Sequence, residues 1–376
     1  MKRAVAIACG LALLAGCDGD ADRDAGPIGG RDAGSRDAAV RDAARDDAGA
    51  RDDAAADAAP PDASTDAGIP SCALTASGPI HVTTDDAVIE DLRITSTSGP
   101  AILVEADRVT LRRLYIEHAD GPGIDANGAD DLVVEDVWVE HTGAPTRGAN
   151  PSDELNNIQL YQSPRSRFMR VKLVRGSSGI YLVESPDSIA SFIEGHDFRG
   201  PFPRGQLLQW NTSDRSVLED FSVVNPPVSW PEDNVNVYRS LDVIVRRGFI
   251  SGNNSPSGVG VIFDGGNSTG VVEDVDAVLM GNGCFSAYDG GEGSTFRRTR
   301  CRDNICTDQG RGLPSSNALM WAGRPELSAL RIEGSTYANA CNPGNIVWPD
   351  TSFEVVEVEE QDFTPRAPLA LHFCWE

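Results

Sequence analysis

One arrangement of apolar and polar positions recurs along the chain: two apolar residues, two charged residues, then an apolar residue, any residue and another apolar one. It reads Val88 to Ile94 around Glu90-Asp91, Val109 to Ile116 around Arg112-Arg113, and Val133 to Val139 around Glu135-Asp136. Later copies carry Glu219-Asp220, Arg246-Arg247, Glu273-Asp274 and Arg297-Arg298, with 22 to 27 residues between neighbours. A period of that size predicts a solenoid, in which each repeat buries its apolar face against the next. The sign of the charged pair alternates within each run. Equivalent residues of stacked parallel coils lie about 4.8 Å apart, so alternation converts a repulsive ladder into an attractive one. The pattern therefore predicts in-register coils, with Arg112-Arg113 between Glu90-Asp91 and Glu135-Asp136.

A second short strand follows each charged phrase and ends in a small or turn-forming residue, as in Tyr161-Gln162-Ser163, Val183-Glu184-Ser185, Tyr238-Arg239-Ser240 and Phe263-Asp264-Gly265. These strands are β-branched and period-two, and no segment has a 3.6-residue period. Asn282-x-Cys284, Asn304-x-Cys306 and Asn339-x-Cys341 form a third recurrence, which stacks Cys284 near Cys306 or Cys306 near Cys341. The grammar predicts an all-β chain, a parallel β-helix of about ten coils. From about Ile80 to Asp350 it resembles the pectin-lyase-like right-handed parallel β-helix superfamily. That resemblance implies a right-handed helix and a fold shared by lyases, hydrolases, esterases, epimerases and non-catalytic surface proteins.

The ends change the picture. Lys2 and Arg3 precede an apolar run, Ala4 to Ala15, too short to span a bilayer, and Leu14-Ala15-Gly16-Cys17 resembles the lipobox of bacterial lipoproteins. Residues 1–16 read as a signal peptide and Cys17 as the lipidated N-terminus. The segment 17–70 is rich in Asp, Ala and Arg, has no aromatic residue, and reads as a disordered tether. The β-helix domain then occupies residues 71–376, with 43 acids against 24 bases. That balance excludes nucleic acid as a partner, because phosphate binding needs a basic face. The expected protein is a monomer of the cell envelope, held to the membrane only by its lipid. Six domain cysteines in an exported chain predict disulfides, with Cys284–Cys306 the first choice among fifteen possible pairings.

The superfamily's enzyme signatures are absent. Asn211-Thr212 is followed by Ser213-Asp214, Gly195-His196 by Asp197, and Arg324-Pro325 lacks the lyase spacing. The strand ends supply the candidate site instead. Aligned by their turns, Tyr161, Trp210, Tyr238, Tyr288 and Trp321 form a column beside an aliphatic one containing Leu160, Leu182, Val237 and Ile262. The expected core is the aliphatic column, leaving the aromatic rings outside to stack on sugar rings; the alternative is an internal aromatic stack, and Gln209 in the aliphatic column argues for it. A polar column, Glu184, Asn211, Arg239, Asp264 and Asp289, runs alongside. Asp264 and Asp289 are the candidate acid, base or Ca2+ ligands, with Arg239 orienting a sugar carboxylate; the plain alternative is a ladder in which Arg239 neutralises Asp264. The expected partner is a polysaccharide, bound and, if the chain is an enzyme, cleaved by a lyase or hydrolase reaction. A structural or adhesive surface protein is the competing expectation.

Overall fold

The structure is a computed structural model describing residues 72–146, 154–200, 204–226, 231–253, 258–306 and 319–376. The signal segment, Cys17 and the tether lie outside the described residues, as do parts of the insertions that precede the second strand of several coils.

Among the described residues all strand pairings are parallel, and they form one thirteen-stranded and one eleven-stranded sheet. Successive strands of the chain alternate between the sheets, except that Thr295–Arg297 and Arg300–Arg302, the two halves of one coil's long strand, both join the thirteen-stranded sheet. Alternate positions point inward, and the interior is a continuous stack of Val, Ile, Leu and Phe, including Leu111, Val134, Phe168, Leu182, Val237 and Phe296. The only helical element among the described residues is a 3-10 turn at Asp350–Ser352.

The charged pairs stack as their alternation requires. Glu90 pairs in register with Arg112, and Arg112 with Glu135. The second member of each pair lies in the left-handed region, for example Asp91 at φ 58° and Arg113 at φ 52°. The charged phrase is thus a corner within the long strand. The strain of a left-handed non-glycine residue is offset by a bidentate contact with the next coil: Arg113 Nε and Nη2 donate to Asp91 Oδ1 and Oδ2 at 2.6 and 2.8 Å. A second such ladder, unnoticed in the repeat grammar, runs Asp86, Arg108, Asp131, Arg165, Asp187, Arg215 and Asp242, all with positive φ. Arginine hydrogen bonds hold the carboxyls of Asp86, Asp131 and Asp187 below the usual range.

The last sixteen residues leave the final coil and run back along the outside of the thirteen-stranded sheet. Arg302 Nη1 donates to the carbonyl of Phe363, whose ring lies 4.6 Å from the Arg300 guanidinium. The N–H groups of Arg366, Leu369 and Leu371 donate to Asp276 Oδ2 at 2.7 Å, Ser222 Oγ at 3.1 Å and Glu194 Oε2 at 2.6 Å. Phe373 packs on Trp138, and Cys374 bonds to Cys72, 302 residues away. The strap therefore joins the last coil to the first.

All six domain cysteines are oxidised, but Cys284–Cys306 is not a pair. Cys284 bonds to Cys301 and Cys306 to Cys341. Cys284 and Cys301 are both fully buried, on the second sheet and the first respectively, so their bond crosses the interior. The strand register explains the correction. Arg302 lies opposite Val278 and Ala338, which puts Asn339 beside Asp303 rather than Asn304. The three Asn-x-Cys phrases are not equivalent positions, and only the Cys306–Cys341 alternative survives.

Candidate functional site: the uncovered face of the second sheet

The outward side chains of the eleven-stranded sheet fall into two columns. One runs through Gln159, Tyr181, Gln209, Asn236, Ile262 and Ser286. The other runs through Tyr161, Val183, Asn211, Tyr238 and Asp264. Tyr288 follows: its N–H donates to the carbonyl of Phe263, and it is 56% exposed.

The structure thus gathers Tyr161, Asn211, Tyr238, Asp264 and Tyr288 on one outward face, and separates the other expected site residues from them. Trp210 lies opposite Leu182 and Val237, and Trp321 opposite Phe285; both tryptophans are fully buried core residues and offer no stacking face. Turn-based alignment slipped by one residue at the Trp210 coil and by three at the Trp321 coil. Gln209 carried the warning: it belongs to the outward column, which sends Trp210 inward. Glu184, Arg239 and Asp289 lie one residue beyond the outward column, at the corner, with Glu184 at φ 49° and Arg239 at φ 50°. Arg239 lies over the Tyr238 ring at 5.0 Å, and its Nε donates to the Gly265 carbonyl at 3.3 Å. It does not neutralise Asp264 through an ion pair.

Around Asp264 the face deepens into a cleft of about 690 Å³, lined among others by Glu232, Asp233, Asn282, Tyr288, Arg324 and Trp348. Burial pushes the Asp264 carboxyl above its usual range, and nearby Asp289 adds to the rise. Asp289 is exposed and 3.8 Å from Arg324, whose guanidinium lies 4.9 Å from the Tyr288 ring and 2.7 Å from Glu326. Trp348 is 44% exposed at the far wall.

Asp233 was missed in the sequence. It is fully buried, and burial, reinforced by Glu232, pushes its carboxyl well above the usual range. Its oxygens accept from Val259 N at 2.9 Å and Asn236 Nδ2 at 3.0 Å. The readable signal was positional. Asn156 and Asp233 each stand two residues before a strand of this sheet, and Asn156 Oδ1 accepts from Ser178 N in the same way. An amide suffices for that bond; at Asp233 the chain places a titratable group instead.

No protein-family profile matches the chain, and no curated protein is similar to it. Solved structures share its architecture at low identity. An alginate lyase from Paenibacillus sp. FPU-7 is 10% identical, with a TM-score of 0.47 over 75% of this chain and 99% of that one. A DFA-IIIase from Arthrobacter chlorophenolicus A6, in complex with GF2, is 11% identical, with a TM-score of 0.41 over 74% and 86%. The mannuronan C-5 epimerase A-module of Azotobacter vinelandii is 12% identical, with a TM-score of 0.38 over 78% and 79%. The fold of the chain is a parallel β-helix by its own strand pairing, and its chemistry rests on its own residues.

Proposed function

We propose that the chain is a lipid-anchored protein of a bacterial cell envelope that binds a polysaccharide across the uncovered face and cleaves it in the Asp264 cleft. One observation carries the reading: a carboxyl whose hold on its proton is strengthened by burial lines an open cleft together with two exposed aromatic rings, Tyr288 and Trp348. Rings of that kind stack on the apolar faces of sugars. Asp264 donates its proton to the leaving glycosidic oxygen as the bond to the anomeric carbon breaks. Water attacks that carbon and gives its proton to Asp289, in the acid–base division of glycoside hydrolysis. Among the described residues no group of three His, Cys, Asp or Glu side chains is arranged to hold a metal ion, so calcium enters as an arm of the test. The polysaccharide named in the alginate lyase neighbour supports a glycan as the partner class.

The test is reducing-end release from a panel of polysaccharides, with and without EDTA. Wild type should cleave at least one, and Asp264→Asn should lose about 100-fold or more while keeping its melting temperature. Loss with EDTA assigns the carboxylates to calcium, and undiminished turnover by Asp264→Asn removes the acid. The Arg324–Asp289 pair favours one second reading, an adhesive protein whose second carboxylate is neutralised; it predicts glycan binding with no cleavage. The anchor rests on the Leu14-Ala15-Gly16-Cys17 run and on three disulfides, which suit an oxidising compartment. Cys17→Ala should release the protein from the membrane fraction.

A further inference from the structure

The cleft beside Asp264 is uncharged along its floor and charged at its margins. The floor continues the outward column: Ile262 lies opposite Ser286, Ser286 opposite Ala322, and Ala322 opposite Trp348. On one side, Glu232 and Asp233 stand just ahead of the strand Val235–Tyr238. On the other, where the strands Val259–Asp264 and Trp321–Ala322 end, stand Asp264, Arg324 and Glu326. Among the described residues that line the cleft, four carboxyls therefore face one guanidinium. That guanidinium is engaged: Arg324 Nε lies 2.7 Å from Glu326 Oε1, and Nη1 lies 3.8 Å from Asp289 Oδ1. The carboxyls act on one another. Burial, then Glu232, and in smaller measure Asp264, push the Asp233 carboxyl up. At Asp264 the pull of Arg239 and Arg324 is weaker than the push of burial.

We propose that the cleft selects a cationic glycan, a polymer of amino sugars whose free amino groups are protonated, and that Glu232 receives an ammonium at the margin across the floor from Asp264. The proposal rests on the reading of the cleft as a glycan site and names its substrate class. An ammonium brings three N–H donors and one positive charge, and a carboxylate accepts from several directions at once. It relieves the mutual repulsion of Glu232, Asp233 and Asp264, whereas a uronate adds to it. Arg324 receives a uronate only by giving up Glu326 or Asp289. A divalent cation is the other class that acidic sites attract, but among the described residues no three His, Cys, Asp or Glu side chains converge to hold one. The exposed faces of Tyr288 and Trp348 favour the same substrate, because an aromatic ring attracts an ammonium as well as the apolar side of a sugar. The domain as a whole, with 43 acids against 24 bases, draws a cationic polymer toward it. The position of the ammonium also matters for the chemistry: at Glu232 it is separated from Asp264 by the breadth of the floor and leaves the acid its proton.

The experiment is calorimetric binding of the intact protein, at a mildly acidic pH that keeps the amine protonated, to four hexamers: glucosamine, N-acetylglucosamine, cellohexaose and hexagalacturonate. The glucosamine hexamer should bind at least about tenfold more tightly than the two neutral ones, and added salt should shrink that ratio. Glu232→Gln should reduce the ratio by about tenfold. Glu326→Gln, which unties Arg324, should reduce it as well and strengthen binding of hexagalacturonate. Glu326 is exposed, so this variant is the arm that stands if Glu232→Gln fails to fold. Tyr288→Ala should weaken every hexamer that binds. Equal affinity for the amine and its acetylated form, or a preference for hexagalacturonate, overturns the charge selection, while a Tyr288 effect leaves the cleft standing as a glycan site. An amine preference that survives both glutamate variants also overturns it, because the attraction then belongs to the acidic surface at large. Binding of no hexamer by the wild type overturns the cleft reading together with it.

Discussion

The two outer faces of this β-helix are built from the same strand grammar and end in opposite states. On the thirteen-stranded sheet, the outward groups Asp276, Ser222 and Glu194 each receive an N–H from the C-terminal strap. Glu194 is held below its usual range: the His196 side chain, the Leu371 N–H and Lys172 together outweigh its desolvation by burial. On the eleven-stranded sheet no segment of the described chain lies over Tyr288 or Trp348, Asp264 is pushed the other way by burial, and Asn236 keeps an unanswered carbonyl. The donors gathered on Glu194 outweigh its burial, whereas on Asp264 the one Gly265 N–H, at 2.7 Å, does not. The difference between fold and site lies in what covers each column.

The sharpest way to break that comparison is to uncover the strapped face. Replacing Cys72 and Cys374 by Ala removes a closure of 302 residues and should cost about 3–5 kcal/mol in chemical unfolding. Glycan binding, measured below the lowered melting temperature, should be unchanged; equal loss of both would show that the faces are not independent.

Asp264→Asn tests the open face in the opposite sense. Because burial raises the folded-state value above the unfolded one, the group contributes stability below its unfolded pKa, and that contribution is lost as pH rises through the folded value. Asn has no charge to desolvate and still offers an oxygen to the Gly265 N–H, so the variant should keep its melting temperature while turnover collapses. A lower melting temperature would make Asp264 scaffold after all.

His118 sharpens the comparison from inside. It stacks on His141 at 4.7 Å, and burial, then His141, push it down to about 3. The unfolded chain takes up this proton first, so stability is complete above pH about 6.5 and falls by about 1.4 kcal/mol per unit as pH drops toward the folded value. Urea titrations at neutral and mildly acidic pH measure the slope, which His118→Gln should flatten.

The smallest effect belongs to the corner ladder. Arg246 and Arg247 bind Glu219 and Asp220, and reversing both arginines to Glu should destabilise by about 1 kcal/mol at low ionic strength and by less in salt. A salt-independent loss would point to packing rather than charge.

The coils were legible because the charged corner repeats with an alternating sign, and sign alternation is a statement about stacking. The same logic failed one strand later. There the turn residues Ser163, Ser240 and Gly265 were taken to mark equivalent positions, but register is set by which side chain must be inside, and Trp210 won that place over Gln209. Tyr161, Tyr238 and Tyr288 were found because their coils did not slip; Asp264 was aligned with Arg239 but lies opposite Tyr238, one position over. Asp233 was not, since its role as an acceptor for the next coil looks the same in sequence as that of Asn156. The strap was invisible for another reason: residues 361–376 form no strand and repeat nothing, and only their partners on distant coils define them.

The clasp at Cys72 has a mechanical consequence. A solenoid pulled from one end ordinarily peels coil by coil, because each coil grips only its neighbour. Here tension on the chain ahead of Cys72 passes through the disulfide to Cys374 and into the strap, whose bonds to Glu194, Ser222, Asp276 and Arg302 are spread along the helix. The load is shared in shear over many coils rather than concentrated on the first. A protein held at that end while gripping a long polymer would keep its groove intact under drag, and single-molecule pulling from residue 72, with and without reductant, would measure how much of that resistance the one sulfur bond supplies.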